Sequence, residues 1–170
     1  MSNRHPIHEK LKAIPLFNDF TDSELEEFLN LADPTIYNPG ELIVRQGEEG
    51  RSMFYVVEGK LWVVQRKNGD FIELATLGPG EVFGELSLWD HLPRSADVQA
   101  LSECTLLKVS EATLNALAGV FPRAAFKFLQ GIVRVIGERL RKTNKRYVDS
   151  LVATPVSTDE AISKDEEPEK

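Results

Sequence analysis

The spacing of apolar positions changes character twice along the chain. Between residues 8 and 33 it is helical: Thr21-Asp22-Ser23-Glu24 has the spacing of a capping box, and Leu25, Phe28 and Leu29 follow on one face. From about 35 to 109 the apolar runs become short and β-rich: 42–44, 53–57, 61–64, 71–74, 97–100 and 104–109. Turn signals separate them at Pro39-Gly40, Gly47 to Gly50, Glu58-Gly59, Asn68-Gly69 and Gly78-Pro79-Gly80. Asn-Gly between two such runs predicts a hairpin, and short strands at regular spacing predict an antiparallel barrel or jelly roll. After 109 the helical period returns. Ser110 caps a short helix to about 118, and Phe121-Pro122 opens a long one. Phe126, Leu129, Val133, Ile136, Leu140, Thr143 and Tyr147 then follow at alternating steps of three and four, a heptad seam. The seam could cover the chain's own strands; its narrowness and length favour a second copy, so a homodimer through helix 122–150 is expected.

The predicted fold is therefore mainly β with flanking α: an antiparallel jelly-roll β-barrel with N-terminal helices and a long C-terminal helix. One domain is expected over 1–150, with helices at 8–33, the barrel at 35–109 and C-terminal helices at 110–150. Residues 151–170 are acidic with few large apolar side chains, and read as a disordered tail. No internal repeat is visible.

Composition narrows the function classes. A chain of 170 residues with 42% hydrophobic and 28% charged residues fits an ordinary globular protein with one core. No apolar run approaches the roughly 20 residues of a membrane span. The N-terminus lacks the apolar stretch of a signal peptide, so a cytoplasmic protein without a membrane partner is expected. Cys104, within the apolar run 104–109, has no partner for an internal disulfide and reads as a buried small hydrophobe. Net charge is −7, of which −4 falls in 151–170. Such an acidic chain is a poor candidate for nucleic acid, which needs clustered Lys and Arg.

Residues 83–96 carry the chemistry: Phe-Gly-Glu-Leu-Ser-Leu-Trp-Asp-His-Leu-Pro-Arg-Ser-Ala. Taken alone, Glu85 and Arg94 could form an ordinary surface ion pair after a turn. The whole stretch resembles the phosphate-binding cassette of the cyclic nucleotide-binding domain family, which includes the bacterial catabolite activator, the regulatory subunits of cAMP-dependent protein kinase and cyclic nucleotide-gated channels. The family pattern is Phe-Gly-Glu-Leu-Ala-Leu, a few variable residues, then Pro-Arg, a small residue and Ala. Here Glu85 and Arg94 keep the usual nine-residue spacing, and Ser87 replaces Ala. The resemblance covers roughly 10–150 and includes Pro39-Gly40-Glu41, Gln46-Gly47-Glu48, Gly50, Glu58-Gly59 and Gly80-Glu81.

It implies that cAMP or cGMP is bound by Phe83, Gly84, Glu85, Leu86, Ser87, Arg94, Ser95 and Ala96. The residue types suit a cyclic phosphate monoanion. Gly84 lets backbone approach closely, and a short helix from Leu86 to about Asp90 aims N–H groups at an anion. Arg94 offers a planar charged fork, and Ser95 adds a hydroxyl. The resemblance assigns Glu85 the ribose 2′-OH.

In the catabolite activator the long helix pairs the subunits and places a Thr and the next Ser against the base. The stretch Arg139 to Asn144 resembles that region, with Thr143 at the Thr position and Asn144 at the Ser position. Thr143 is the polar break in the seam; its hydroxyl could meet a purine edge or bond back to the helix backbone. Arg139, one turn earlier, could pair with Glu85 or be solvated. Thr143 tips the expected ligand towards cAMP; Ser95 fits either nucleotide. Trp62 and Trp89 read as packing residues.

Catalysis has no candidate constellation. His5, His8 and His91 have no Cys or carboxylate at metal-ligand spacing, and no P-loop, Gly-x-Ser-x-Gly or Cys-x-x-Cys occurs. No catalytic residue, metal or cofactor is expected beyond the nucleotide ligand. No recognition helix follows the long helix, so direct action on DNA is not expected. The favoured reading is a sensor that signals through its C-terminal helix to an effector protein. One alternative is a ligand-independent dimerisation or interaction module on the same fold. Another is a cyclic nucleotide phosphodiesterase, for which the histidines do not supply a metal cluster.

Overall fold

The computed structural model describes residues 7–12 and 14–153, so most of the expected acidic tail lies outside the described residues. The chain divides into two units, Met1–Ile132 and Val133–Lys170. In the first, helix α1 (His8–Lys12), a 3-10 turn (Pro15–Phe17) and helix α2 (Asp22–Leu31) precede the strands. The capping box at the start of α2 forms in both directions: Glu24 N–H donates to Thr21 Oγ1 at 3.3 Å, and Thr21 N–H to Glu24 Oε2 at 2.8 Å.

Eight strands follow: β1 (Asp33–Tyr37), β2 (Leu42–Val44), β3 (Ser52–Glu58), β4 (Leu61–Lys67), β5 (Asp70–Leu77), β6 (Val82–Phe83), β7 (Asp97–Ala100) and β8 (Cys104–Ser110). A five-residue helix, α3 (Glu85–Trp89), interrupts them between β6 and β7. One sheet has the order β1-β8-β3-β6 and the other β2-β7-β4-β5, with every pair antiparallel. The pairs nest, first strand with last and so inward, as if one long hairpin had been rolled up. Asn68 and Gly69 sit at its tip with φ of 55° and 92°, the two left-handed residues of a type I′ turn, and Lys67 faces Asp70 across it.

The sheets do not close into the expected barrel. Each keeps two edges. With two residues in β6 and three in β2, these edge strands are too short to carry a ladder from one sheet to the other. Two of the strands were not legible as strands. β1 contains Pro34, which has no N–H to donate, yet β1 pairs on one side only, where a sheet tolerates proline. β6 is two residues long, and only its second residue, Phe83, falls in the segment 83–96 singled out from the sequence.

The sheets enclose a core of Val44, Phe54, Val56, Leu61, Leu77, Phe83, Val98, Ala100, Cys104 and Leu106. Strand β3 is buried at six successive positions because both its faces are covered. Phe54 and Val56 point between the sheets, while Tyr55 points the other way, its ring 5.7 Å from Phe17. Cys104 is buried as expected, its Sγ donating to Lys60 O and Ser102 O at 3.2 Å.

Helix α4 (Glu111–Val120) begins at Ser110, whose Oγ accepts from Thr113 N–H at 3.1 Å. Helix α5 (Pro122–Ala153) opens with proline at its first position, where the missing N–H costs nothing. It takes in 151–153, three residues past the expected end. Its first turns, in the first unit, bring Phe128 against Phe17 and Phe28.

Lys127 on the same turns donates to Glu24 Oε2 at 2.7 Å. Burial pushes the Glu24 carboxyl up, but hydrogen bonds from Lys127 and the Thr21 backbone outweigh it and hold the group below its ordinary 4.5. A carboxyl with a depressed folded-state pKa stabilises above its unfolded pKa, and that contribution is lost as pH falls through the folded value. Lys127→Met keeps the aliphatic stem and removes the charge. The gap in melting temperature between wild type and Lys127→Met is expected to be widest near pH 7 and to narrow below about pH 4. A gap constant from pH 7 down to about 3 would show that the pair contributes packing alone.

Candidate functional site

The segment between β6 and β7 is anchored at both ends. At its start, Phe83 lies in the inter-sheet core, its ring stacked on Phe54 at 5.0 Å and 11°. Gly84 follows with φ of 72°, a left-handed conformation that turns the chain out of β6 and into α3. At its end, Arg94 N–H donates to Glu48 O at 2.9 Å and Gly47 N–H to Arg94 O at 2.8 Å. Gln46 N–H donates to Asp97 Oδ1 at 2.7 Å, so the β2–β3 loop and the end of the segment are stitched together.

Arg94 is the centre of this arrangement. It is only 7% exposed. Its Nη2 donates to Ser52 O at 2.7 Å and reaches Ser52 Oγ at 3.5 Å, and its Nη1 donates to Gly84 O at 3.0 Å. The guanidinium lies 6.0 Å from the centroid of the Phe54 ring. Two glycines make the room: a Cβ built on Gly50 or on Gly84 would overlap the guanidinium. Burial lowers the Arg94 pKa, and the Glu85 carboxylate raises it in part. Arginine stays charged across any working pH, so the site holds a fixed cation.

Glu85, Ser87 and Ala96 are buried; Leu86 and Ser95 are exposed. The first unit thus gathers Phe83, Gly84, Glu85, Leu86, Ser87, Arg94, Ser95 and Ala96 into one continuous segment. Arg139, Thr143 and Asn144 belong to the second unit, where Arg139 is half-buried and the other two are exposed. Arg139 and Thr143, four apart on α5, share a helix face.

Ser52 escapes a sequence reading, because it serves Arg94 chiefly through a backbone carbonyl that every residue has. Gly50 was visible within the glycine pattern, and its function as space for a side chain 44 residues away was not. Among the described residues no group of three or more His, Cys, Asp or Glu is placed to hold a metal ion. No described helix is long and apolar enough to cross a membrane.

The family model for the cyclic nucleotide-binding domain matches residues 34–119, from β1 into α4, with the whole segment inside it. The chain belongs to the cyclic nucleotide-binding domain family. This family is regulatory and not catalytic.

The chain is 31% identical over 135 residues to the cyclic AMP receptor protein of Thermus thermophilus, covering 79% of this chain and 61% of that protein. It is 31% identical over 140 residues to cGMP-dependent protein kinase 2 of Mus musculus, covering 81% of this chain and 18% of the kinase. The cAMP-dependent protein kinase type II regulatory subunit of Drosophila melanogaster is 28% identical over 151 residues, 84% of this chain and 39% of that subunit. The chain thus spans less than two thirds of each of these relatives. Among solved structures, the Thermus thermophilus catabolite activator protein matches with a TM-score of 0.69 at 30% identity, over 81% of this chain and 63% of that one. A cyclic nucleotide-binding domain from Methylobacillus flagellatus KT shares the fold, with a TM-score of 0.75 at 23% identity over 85% of this chain and 82% of its own.

Proposed function

We propose that the chain is a cyclic nucleotide sensor, favouring cAMP over cGMP, that grips the cyclic phosphate with its cassette and passes the signal through α5 to an effector protein. The observation that carries this reading is the cradle of Arg94. Guanidinium has five N–H donors. Among the described residues, Ser52 and Gly84 engage only Nη1 and Nη2. These bonds do not exhaust the five donors of the fork, which can address an anion as well. The Glu85 carboxylate offsets the cost of burying this cation only in part, and a cyclic phosphate would supply further opposite charge. Preference for cAMP rests on Thr143 as the polar group offered to the base; the relatives' names include both nucleotides. The ligand is bound and not turned over, and the protein acts in the cytoplasm.

A ligand-independent interaction module is the second reading, favoured by the hydrogen bonds Arg94 already makes within the chain. Calorimetric titration of nucleotide-stripped protein with cAMP and with cGMP separates the two. Saturable heat at or below roughly 10 µM, about −7 kcal/mol or better, supports the sensor, with the tighter ligand named by the same experiment. Folded protein that gives no heat with either nucleotide would establish the interaction module.

Glu85, buried at the first position of α3, is proposed to accept from the ribose 2′-OH. Glu85→Gln is expected to weaken cAMP binding about tenfold or more and to leave 2′-deoxy-cAMP nearly unchanged. Equal losses for both ligands would remove Glu85 from ribose recognition.

Dimerisation through α5 is proposed on the exposed seam: Phe126, Leu129, Val133, Leu140 and Tyr147 all face solvent in the single chain. Sedimentation velocity is expected to give a dimer, and Phe126→Glu with Val133→Glu a monomer. A wild-type monomer at high concentration would reject this interface.

A further inference from the structure

Strand β4 runs past the point where its pairing with β7 stops. Val64 opposite Asp97 is the last pair between them, while β4 continues to Lys67 against β5 alone. One side of Gln65, Arg66 and Lys67 is therefore left without a neighbouring strand. Gln46, two residues after β2, fills that side at Arg66 with its side chain. Arg66 N–H donates to Gln46 Oε1 at 2.6 Å, and Gln46 Nε2 donates to Arg66 O at 3.2 Å. A carboxamide offers the donor and the acceptor that the peptide of another strand would offer. The chain can thus leave the sheet before Asp97 and run out along the segment that carries Arg94.

The main chain of Gln46 is engaged as well. Its N–H donates to Asp97 Oδ1 at 2.7 Å, and its carbonyl accepts from Arg66 Nη2 at 3.3 Å. Arg66 closes the ring on Asp97, with Nε 2.9 Å from Oδ2 and Nη2 3.3 Å from Oδ1. Every polar group of Gln46 is used, and one residue ties the chain after β2 to β4 and to the start of β7.

This ring stands behind the root of Arg94. The next two residues in the chain make the backbone bonds to it: Gly47 N–H to Arg94 O, and Arg94 N–H to Glu48 O. Ser52 O and Gly84 O hold the guanidinium at the far end of the side chain, and the backbone of 47 and 48 holds the near end. Gln46 is where that backbone is fixed to the sheet. The Arg66 side chain in the ring is 42% exposed, and surface pairs of this kind add little to folding stability. What the ring fixes is position, and a binding group works when supporting bonds hold it to within about 0.5 Å.

We infer that Gln46 is a positioning residue for phosphate binding: its side chain docks on Arg66 and its main chain on Asp97, and together they set the backbone from which Arg94 reaches the ligand. This deepens the proposed function by naming the support behind the phosphate contact, and rests on the reading that Arg94 holds the phosphate.

The test uses the full chain. Gln46→Ala removes both side-chain bonds to Arg66. Gln46→Glu keeps the acceptor for Arg66 N–H but sets a carboxylate oxygen against Arg66 O in place of a donor. Both variants are expected to weaken cAMP about tenfold by calorimetry. Amide hydrogen exchange, followed by NMR without ligand, is expected to speed about tenfold at Gly47 and Arg94 and to stay unchanged at residues 53–57 of β3. Gln99→Ala is the control: it removes a comparable bond, Gln99 Nε2 to Gly40 O at 2.8 Å, at the other end of β2, and is expected to match wild type in both measurements. Variants that bind cAMP within twofold of a binding wild type overturn the inference alone. Weaker binding with unchanged exchange at Gly47 and Arg94 overturns it, because the effect then does not pass through this backbone. Weaker binding with equally faster exchange in β3 overturns it as well, by showing a general loosening. A wild type that binds neither cAMP nor cGMP defeats the sensor reading and this inference with it.

Discussion

Replacing Arg94 with alanine is expected to raise the dissociation constant for cAMP by about a hundredfold or more, or to remove measurable heat altogether. The variant loses more than one phosphate contact. Ser52 O and Gly84 O, which accept at 2.7 and 3.0 Å, are left without their donor in a buried place. Each orphaned acceptor costs on the order of 1–3 kcal/mol. The same change is therefore expected to lower the melting temperature by several degrees. Arg94→Lys separates the two effects. A lysine keeps the charge but, as a point donor on a flexible stem, cannot span both carbonyls and an anion at once. Its affinity is expected to fall between wild type and Arg94→Ala. If Arg94→Ala binds cAMP within a few-fold of wild type, the ligand is not held by this cassette.

Phe17→Ala is expected to cost about 3–5 kcal/mol of folding stability. Phe17 is fully buried, and its ring lies 5.1–6.2 Å from those of Phe20, Phe28, Tyr55 and Phe128. It therefore ties the 3-10 turn to α2, to β3 and to the start of α5 at one point. Truncation leaves a cavity whose walls belong to separate elements and cannot all collapse inward together. Urea unfolding should show a lower midpoint with an unchanged slope. Phe71→Ala is the control: Phe71, 67% exposed on the edge strand β5, is expected to change stability by less than about 0.5 kcal/mol. A loss below about 1 kcal/mol for Phe17→Ala would mean that the helices are held to the sheets by other contacts.

Some of this architecture was written in short stretches of sequence. Thr21 and Glu24, Ser110 with the helix after it, Asn68-Gly69 and Pro122 each specify geometry with partners a few residues away. Such signals survive without knowledge of the rest of the chain, because the groups that satisfy them are neighbours in the sequence. The cassette belongs here too, since its residue types and spacing are local and as a set point to one family.

The closed barrel, β1 and β6 were decided elsewhere. Whether two strands pair depends on partners far along the chain: β1 pairs with β8, about 70 residues on, and Phe83 of β6 with Phe54 of β3. Whether a sheet closes depends on strand lengths that two-residue alternation does not reveal. Pro34, which has no N–H to give a ladder, is accommodated because tertiary pairing places it at an edge.

By itself, then, the sequence determined the elements with local caps and turns, the family to which the chain belongs, and the charge that Arg94 would bring. Only the tertiary structure decided that this charge would be buried, that Ser52 O and Gly84 O would hold it, and that Gly50 and Gly84 would leave it space. The reason is physical. A backbone carbonyl or a missing Cβ has the same identity everywhere in a chain, and becomes a binding feature only when folding brings a particular side chain to it.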